Sequence, residues 1–383
     1  MRRYPGRTRS LPQPRTTPGL GHLWRWASDP VPLLVEGART GPVFRLRLWR
    51  TAVVGYQPEW NRAVLRDLET FRSRGSLSGL TPYLAGGVVH TDVPAHDSRR
   101  RELNPHFHAR ALARLVDRLG EVARAHLPAG EFEAVAWSGT VVRRMLNAAL
   151  FGGGVPDEPL ARFLAPLHRR NPAPLLPAPG VFRELGAAIA AVLADPPEGS
   201  VAHALTGTAG AAEELRVALA AGYDTTAHTL AWALWHLAAA PRWCDVDALP
   251  LVLDEVLRLY PAGWLGSRVT SRETSVAGVE LPAGTLVLFS PLLTHRDPRL
   301  WPDPDRFRPD RFHDPHPAWA YLPFGAGRRT CLGAHLARQM LRCALEPFRP
   351  GSLRQVSGDT RLVAGITLRP RGPLRLHHTL RPT

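Results

Sequence analysis

The run Phe324-Gly325-Ala326-Gly327-Arg328-Arg329-Thr330-Cys331-Leu332-Gly333 sets one cysteine among three glycines and beside two arginines, where a helical pattern begins. These parts suit a thiolate bonded to a metal. A thiolate is an anion, and a helix N-terminus offers it free N–H groups and the positive end of a dipole, which lower a thiol pKa. Glycines let backbone amides come close to sulfur and to a flat macrocycle. Arg329 is placed to reach a carboxylate of such a ring, and Phe324 to lie against its thiolate side. A cysteine that only fills core space needs no such company. A dinucleotide loop is excluded, because Gly-x-Gly-x-x-Gly is absent and has no use for a cysteine.

The segment resembles the haem-binding signature of cytochrome P-450, Phe-x-x-Gly-x-Arg-x-Cys-x-Gly, with every fixed position filled. The resemblance implies haem b as cofactor, Cys331 as the ligand of its iron, and Phe324, Arg329 and Gly333 in its cradle. It extends to Ala221-Gly222-Tyr223-Asp224-Thr225-Thr226, inside a long helical pattern from roughly 210 to 239. Glycine and β-branched threonines lower helix propensity there, so packing alone is a poor reason for them. By resemblance Gly222 leaves room for oxygen, Thr225 donates a hydrogen bond at the distal side, and Asp224 relays protons.

Glu255-Val256-Leu257-Arg258 puts two opposite charges on one helix face. Downstream, Phe307-Arg308-Pro309-Asp310-Arg311-Phe312 is similar to the family's Phe-x-Pro-Glu-Arg-Phe segment, with aspartate in place of glutamate. The resemblance implies a buried network of Glu255, Arg258 and Arg311 that fixes the cysteine loop. It also implies that His96, Arg100, Arg268 and Arg329 hold the haem propionates, a task suited to the forked, always charged guanidinium. Arg99 or Arg101 replaces Arg100 if the helix register differs by one.

The elements that must position these residues read as mostly helical, with small peripheral sheets. Residues 42–55 alternate like strands, helices are expected near 94–104, 110–126, 134–151, 210–239 and 331–346, and strands near 266–289 and 353–378. This pattern resembles the cytochrome P-450 fold across nearly the whole chain, expected as a single domain over 19–383 behind an irregular arm, 1–18. Two regions are short, the path between the His96 helix and Gly222 and the stretch Ala238–Val252. Between the His96 helix and Gly222, the proline-rich 171–179 replaces part of the lid and breaks any helix. The prediction is an open pocket, with fast ligand access and weak affinity.

The bulk numbers exclude several classes. The chain has 383 residues and a net charge of +15, yet contains no lysine. Its arginines are scattered rather than interleaved with stacking aromatics, which argues against nucleic acid and suits docking of an acidic electron donor. Cys244, Cys331 and Cys343 are too few for a disulfide framework and fit a reducing cytoplasm. Cys343, twelve positions on, points about 120° away from Cys331 around one helix and is expected in the core. No apolar run of spanning length exists, so no membrane partner is expected. Apolar stretches at Leu77–Val88, Ala218–Thr225, Ala262–Leu265 and Val363–Ile366 are the expected substrate contacts.

The sequence therefore implies a haem-thiolate monooxygenase. It would insert one atom of O2 into an apolar small molecule with electrons from a ferredoxin-type donor. The stretch Arg258–Leu265 resembles bacterial members that oxidise terpenes. The alternatives are a peroxide-using or oxidative-coupling enzyme, which the Asp224–Thr225 pair argues against, and a haem-binding protein without catalysis.

Overall fold

The computed structural model describes residues 10–77, 82–168 and 178–380. Its N-terminal part comprises α1 (Leu23–Ser28), α2 (Pro30–Thr40), β1 (Val43–Arg47), β2 (Thr51–Gly55), α3 (Pro58–Arg66) and β3 (Phe71–Arg72). Then follow α4 (Ala95–Leu103), α5 (Ala109–Leu112), α6 (Val116–Ala125), β4 (Gly130–Glu133), α7 (Ala134–Phe151), α8 (Asp157–Leu164), α9 (Pro179–Ala194), α10 (Val201–Ala204) and α11 (Ala211–Ala239). After α12 (Leu249–Leu259) come β5 (Gly266–Thr270), β6 (Thr274–Val276), β7 (Val279–Leu281), β8 (Leu286–Phe289) and α13 (Pro291–His295). The last elements are α14 (Ala334–Leu345), β9 (Leu353–Gly358), β10 (Leu362–Ala364), β11 (Leu368–Pro370) and β12 (Leu374–His378).

Helix α11 is the axis of the molecule. Its 29 residues span about 44 Å. It is apolar on nearly every face, so it cannot lie at a surface and is wrapped by other helices. Its closest neighbour is α7. A side chain added at Gly222 would meet Leu146 of α7 at 3.0 Å, so the missing Cβ lets the two helices approach. The large core joins α6, α7, α9, α11, α12 and α14. A five-stranded sheet, ordered β1-β2-β8-β5-β3, covers one side; β2 and β8 are parallel and the other pairs antiparallel. A second buried cluster lies under it and joins Leu33 and Leu34 of α2 to Trp264, Ala364 and Leu368. In the expected arm, Leu11 is buried in a third cluster, and Pro12 accepts from the Arg45 amide at 2.9 Å.

Two expectations about helices need correction. Helix α14 starts at Ala334, with Gly333 as its N-cap, so Cys331 precedes the helix. The angular argument for Cys343 therefore falls. Cys343 is nonetheless buried, its Sγ 3.8 Å from the Val116 carbonyl. In the lid region, Pro179 does not break a helix but begins the 16-residue α9, at the position where a missing N–H costs nothing. Residues 169–177 lie outside the described residues. Helices α8 and α9 flank them, and Phe163, Phe182 and Tyr83 form a cluster with centroids 5.0–5.1 Å apart. The second lid helix is thus fuller than the sequence reading allows, while α8 has only 8 residues.

Candidate active site

The cysteine loop is folded by its own backbone. The Cys331 amide donates to the Phe324 carbonyl at 2.8 Å and closes the loop. Gly327 has φ +70, and a Cβ there would lie 2.8 Å from the Leu65 carbonyl oxygen of α3, so only glycine fits without displacement. The Phe324 ring lies under the Arg338 guanidinium, 5.2 Å from its centroid. Cys331 is exposed, yet enough protein surrounds its thiol for burial to raise its pKa. Both hold if the surface it reaches is interior. The thiol pKa moves opposite to expectation: burial pushes it up, and a backbone hydrogen bond from Gly333 and the Arg100 charge oppose the rise. Three residues short of the helix, the sulfur gains little from the dipole. A bound cation would supply what the protein alone does not.

Above this loop the expected basic residues converge. His96 is buried, with Nδ1 2.9 Å from Asp97 Oδ1. Its pKa is lowered by burial first, and Asp97 opposes that. Arg100 lies one turn further along α4. Burial lowers it, and a Cys331 thiolate would raise it. Of its neighbours on α4, Arg99 turns to the Gly86 carbonyl and Glu214, and Arg101 is exposed. Arg268 of β5 is pushed down to about 10, mainly by burial and then by the Arg329 charge. Arg329 donates to the Thr91 carbonyl at 2.5 Å and to Asp92 at 3.0 Å. It too is lowered by burial, with Arg100 and Arg328 adding.

The buried Nε atoms of Arg100, Arg268 and Arg329 have no hydrogen-bond partner among the described residues. Buried donors of this kind are paired in finished structures. A group with two carboxylates and an iron that takes a thiolate fits this donor set. Among the described residues no cluster of three or more His, Cys, Asp or Glu side chains could hold a bare metal ion.

Thr225 lies on an open stripe in the middle of α11. Ala218, Ala221, Gly222 and Thr225 are accessible, while Asp224, Thr226, Ala227 and His228 beside them are buried. Thr225 Oγ1 donates to the Ala221 carbonyl at 2.7 Å. Gly222 lies on this open stripe, and a Cβ there would come within 3.0 Å of the end of the Leu146 side chain, so the glycine also eases packing against α7. Asp224 points off the stripe. Thr367 donates to its Oδ2 at 2.8 Å, and His228 Nδ1 lies 3.3 Å from its Oδ1. Neither partner follows from the sequence motif. The i, i+4 spacing of Asp224 and His228 was the available signal for one of them; Thr367 is 143 positions away.

On the far side of the loop, Glu255 is fully buried. It takes Arg258 bidentately at 2.7 and 2.8 Å, Arg311 at 3.1 Å, and the Arg308 amide at 2.8 Å. Arg258 spends its other N–H groups on the His295, Pro304 and Arg306 carbonyls. His295, which the sequence reading missed, accepts from the Leu322 amide through Nε2 at 2.7 Å, so its Nδ1–H faces the Arg258 carbonyl. Burial, with Arg258 adding, pushes His295 down to about 3.

The chain is similar to known proteins in sequence and fold. The cytochrome P450 family model matches residues 240–348. A cyclooctat-9-en-7-ol 5-monooxygenase of Streptomyces melanosporofaciens is 28% identical over 85% of each chain. Cyclooctatin synthase of the same organism is 27% identical over 95% of this chain and 94% of its own. The structure of cyanobacterial CYP120A1 with bound retinoic acid superposes with a TM-score of 0.84 at 23% identity, over 97% of this chain and all of that one. CYP175A1 of Thermus thermophilus gives 0.79 at 27% identity, over 94% and 98%. With the complete thiolate loop and the buried ion network beneath it, the chain has the fold of the cytochrome P450 family, whose model matches its residues 240–348, and is similar over most of its length to P450 monooxygenases.

Proposed function

We propose that this chain binds haem b between Cys331 and the open stripe of α11 and oxygenates an apolar, terpenoid substrate. The observation that carries the reading is the pairing of an accessible Cys331, whose thiol pKa burial still raises, with an accessible Thr225 on a largely buried helix. When bound, the haem supplies the iron at which O2 is activated by electrons delivered one at a time. Cys331 Sγ ligates that iron, with Phe324 and Gly333 in its cradle. Arg100, Arg268, Arg329 and His96 neutralise the propionates, which relieves the repulsion among the arginines. Thr225 Oγ1 holds a hydrogen bond on the distal side. Asp224 moves protons from solvent toward it, which requires its carboxylate to turn from Thr367 toward the open stripe. Glu255, Arg258 and Arg311 hold the loop in place.

The apolar character of the stretches expected to meet substrate, with Leu77 and Leu265 packed on one apolar cluster and Ile366 exposed, supports an apolar substrate. The terpenoid class is supported by two relatives named for cyclooctatin chemistry and by the retinoic acid held in a structural relative. Exposed Arg110, Arg328 and His335 near the loop suit an acidic ferredoxin-type donor. We assign 19–383 to a single domain. Three free cysteines fit the cytoplasm.

The test is reconstitution with haem. The reduced CO complex should show the red-shifted Soret band of thiolate ligation, and Cys331→Ser should lose it; a normal band in that variant overturns the assignment. Thr225→Ala should keep the haem band yet release about tenfold more peroxide per product. Unchanged coupling would sink the role of Thr225.

A further inference from the structure

Among the described residues, half of the ten exposed large hydrophobic side chains lie in one stretch: Leu20, Leu23, Trp24, Val35 and Trp49. Trp24 is 68% and Trp49 54% exposed. The fold brings the two ends of this stretch together. The His22 amide donates to the Arg47 carbonyl at 2.7 Å, and the Arg47 amide donates to His22 Nδ1 at 2.8 Å. The start of α1, with Leu23 and Trp24, is thereby tied to the β1–β2 turn that carries Trp49. Helix α1 has no buried residue and is held by Trp26 against Trp264, centroids 6.4 Å apart. It displays its aromatic side chain rather than burying it.

Charge is concentrated at the same corner. Residues 10–50 hold six arginines, at 15, 25, 39, 45, 47 and 50, against Asp29 and Glu36, so they carry +4. A groove of about 480 Å³ opens between the segment before α1 and helix α2, lined by Arg15, Arg25, Arg39, Glu36, Pro32 and Val35. Arg25 and the Arg15 amide use up Glu36 at 2.7 Å each. The groove therefore keeps a net positive charge above an apolar floor. Beneath the corner, the cluster around Leu33, Leu34 and Trp26 runs without a break into Trp264, Leu265 and Ala364.

We propose that this corner docks peripherally on an anionic bilayer, with Leu20, Leu23, Trp24 and Trp49 at the headgroup–acyl boundary and the Arg15–Arg25–Arg39 groove on lipid phosphates. Tryptophan is amphipathic and settles at that depth. Arginine takes phosphate oxygens bidentately. Apolar insertion together with a basic surface holds proteins to anionic membranes without a spanning segment. No helix among the described residues is long and apolar enough to cross a membrane. The sequence expectation of no membrane partner followed from the want of such a segment, which peripheral docking does not need. A protein partner would make poor use of a guanidinium groove with an aliphatic floor. Nucleic acid would make poor use of the leucines.

The test is flotation of the full-length haem-loaded protein with vesicles of phosphatidylcholine alone and with added phosphatidylglycerol. Binding should be about tenfold tighter to the phosphatidylglycerol vesicles and should weaken with salt. Trp24→Ser with Trp49→Ser should lose about tenfold in affinity, and brominated lipid should no longer quench the difference in fluorescence. Arg15→Gln with Arg39→Gln should erase the preference for phosphatidylglycerol. Both variants should keep the haem spectrum and near-ultraviolet dichroism, since their side chains are exposed. No vesicle binding, or binding unchanged in both variants, overturns the proposal. So does a concentration-dependent dimer that needs Trp24, or duplex DNA binding abolished by the arginine variant while vesicles are ignored.

Discussion

Two charged clusters lie on either side of the cysteine loop, and they are built on opposite principles. The Glu255–Arg258–Arg311 network is closed: Glu255 has a donor on each oxygen, and Arg258 spends its remaining N–H groups on three carbonyls. The Arg100–Arg268–Arg329 cluster is open: each guanidinium is lowered by burial, Arg329 adds to the lowering of Arg268 and Arg100 to that of Arg329, and each Nε lacks a partner among the described residues. A closed network returns its desolvation cost within the protein and acts as a fixed joint. An open cluster of like charge is a cost that only an anion offsets. The first is structure and the second is a binding site, although both are arginine-rich.

The largest effect should come from breaking the joint. Glu255→Ala strands two buried guanidinium groups and should cost roughly 3–5 kcal/mol, or prevent folding outright. Chemical denaturation with haem loading as a second readout measures it; a folded, fully loaded variant would show the network to be ornamental.

A second test uses acid. His295 and His236 are pushed down by burial to about 3 and about 4. A folded pKa below the unfolded value of about 6.5 means that stability is complete above pH 6.5 and is lost as pH falls toward the folded pKa. Each residue should contribute a slope of about 1.4 kcal/mol per pH unit in that window. His295→Gln should remove one proton's share of the slope. An unchanged slope would mean that His295 is not held neutral.

The open cluster should give the smallest change and the most diagnostic sign. Arg268→Met should stabilise the haem-free protein by about 1 kcal/mol, because it removes a buried charge that Arg329 repels, while weakening haem retention. In the parent protein, the penalty for charged Arg268 is in force below about pH 10 and fades as pH rises through that value. Destabilisation of the haem-free variant by the same substitution would make the cluster a second closed joint.

The thiolate loop, the long helix Ala211–Ala239 and the spacing of Glu255 and Arg258 were legible in the sequence because each depends on residues within a few turns of one another. Arg311 was legible only through its resemblance to a family segment. The side on which Pro179 falls was misread, because a proline that ends one helix is equally suited to begin the next, and only the packing of α9 on α8 and α11 decides which. The contact of Gly222 with Leu146 was not legible for a similar reason: Leu146 sits on another helix.

By itself, then, the sequence determined the chemistry: a cysteine with the amides and turns a metal-bound thiolate needs, and a threonine placed mid-helix against propensity. Tertiary structure alone decided where the charges rest. Asp224 turns to Thr367, Arg329 to Asp92, the Cys331 thiol is pushed up rather than down, and the tryptophans at 24 and 49 share one corner. The physical reason is range. Local motifs fix which groups a residue carries and how the backbone bends beneath them. Burial, repulsion and hydrogen-bond partners come from residues far away in the chain, and their balance exists only once the chain has folded.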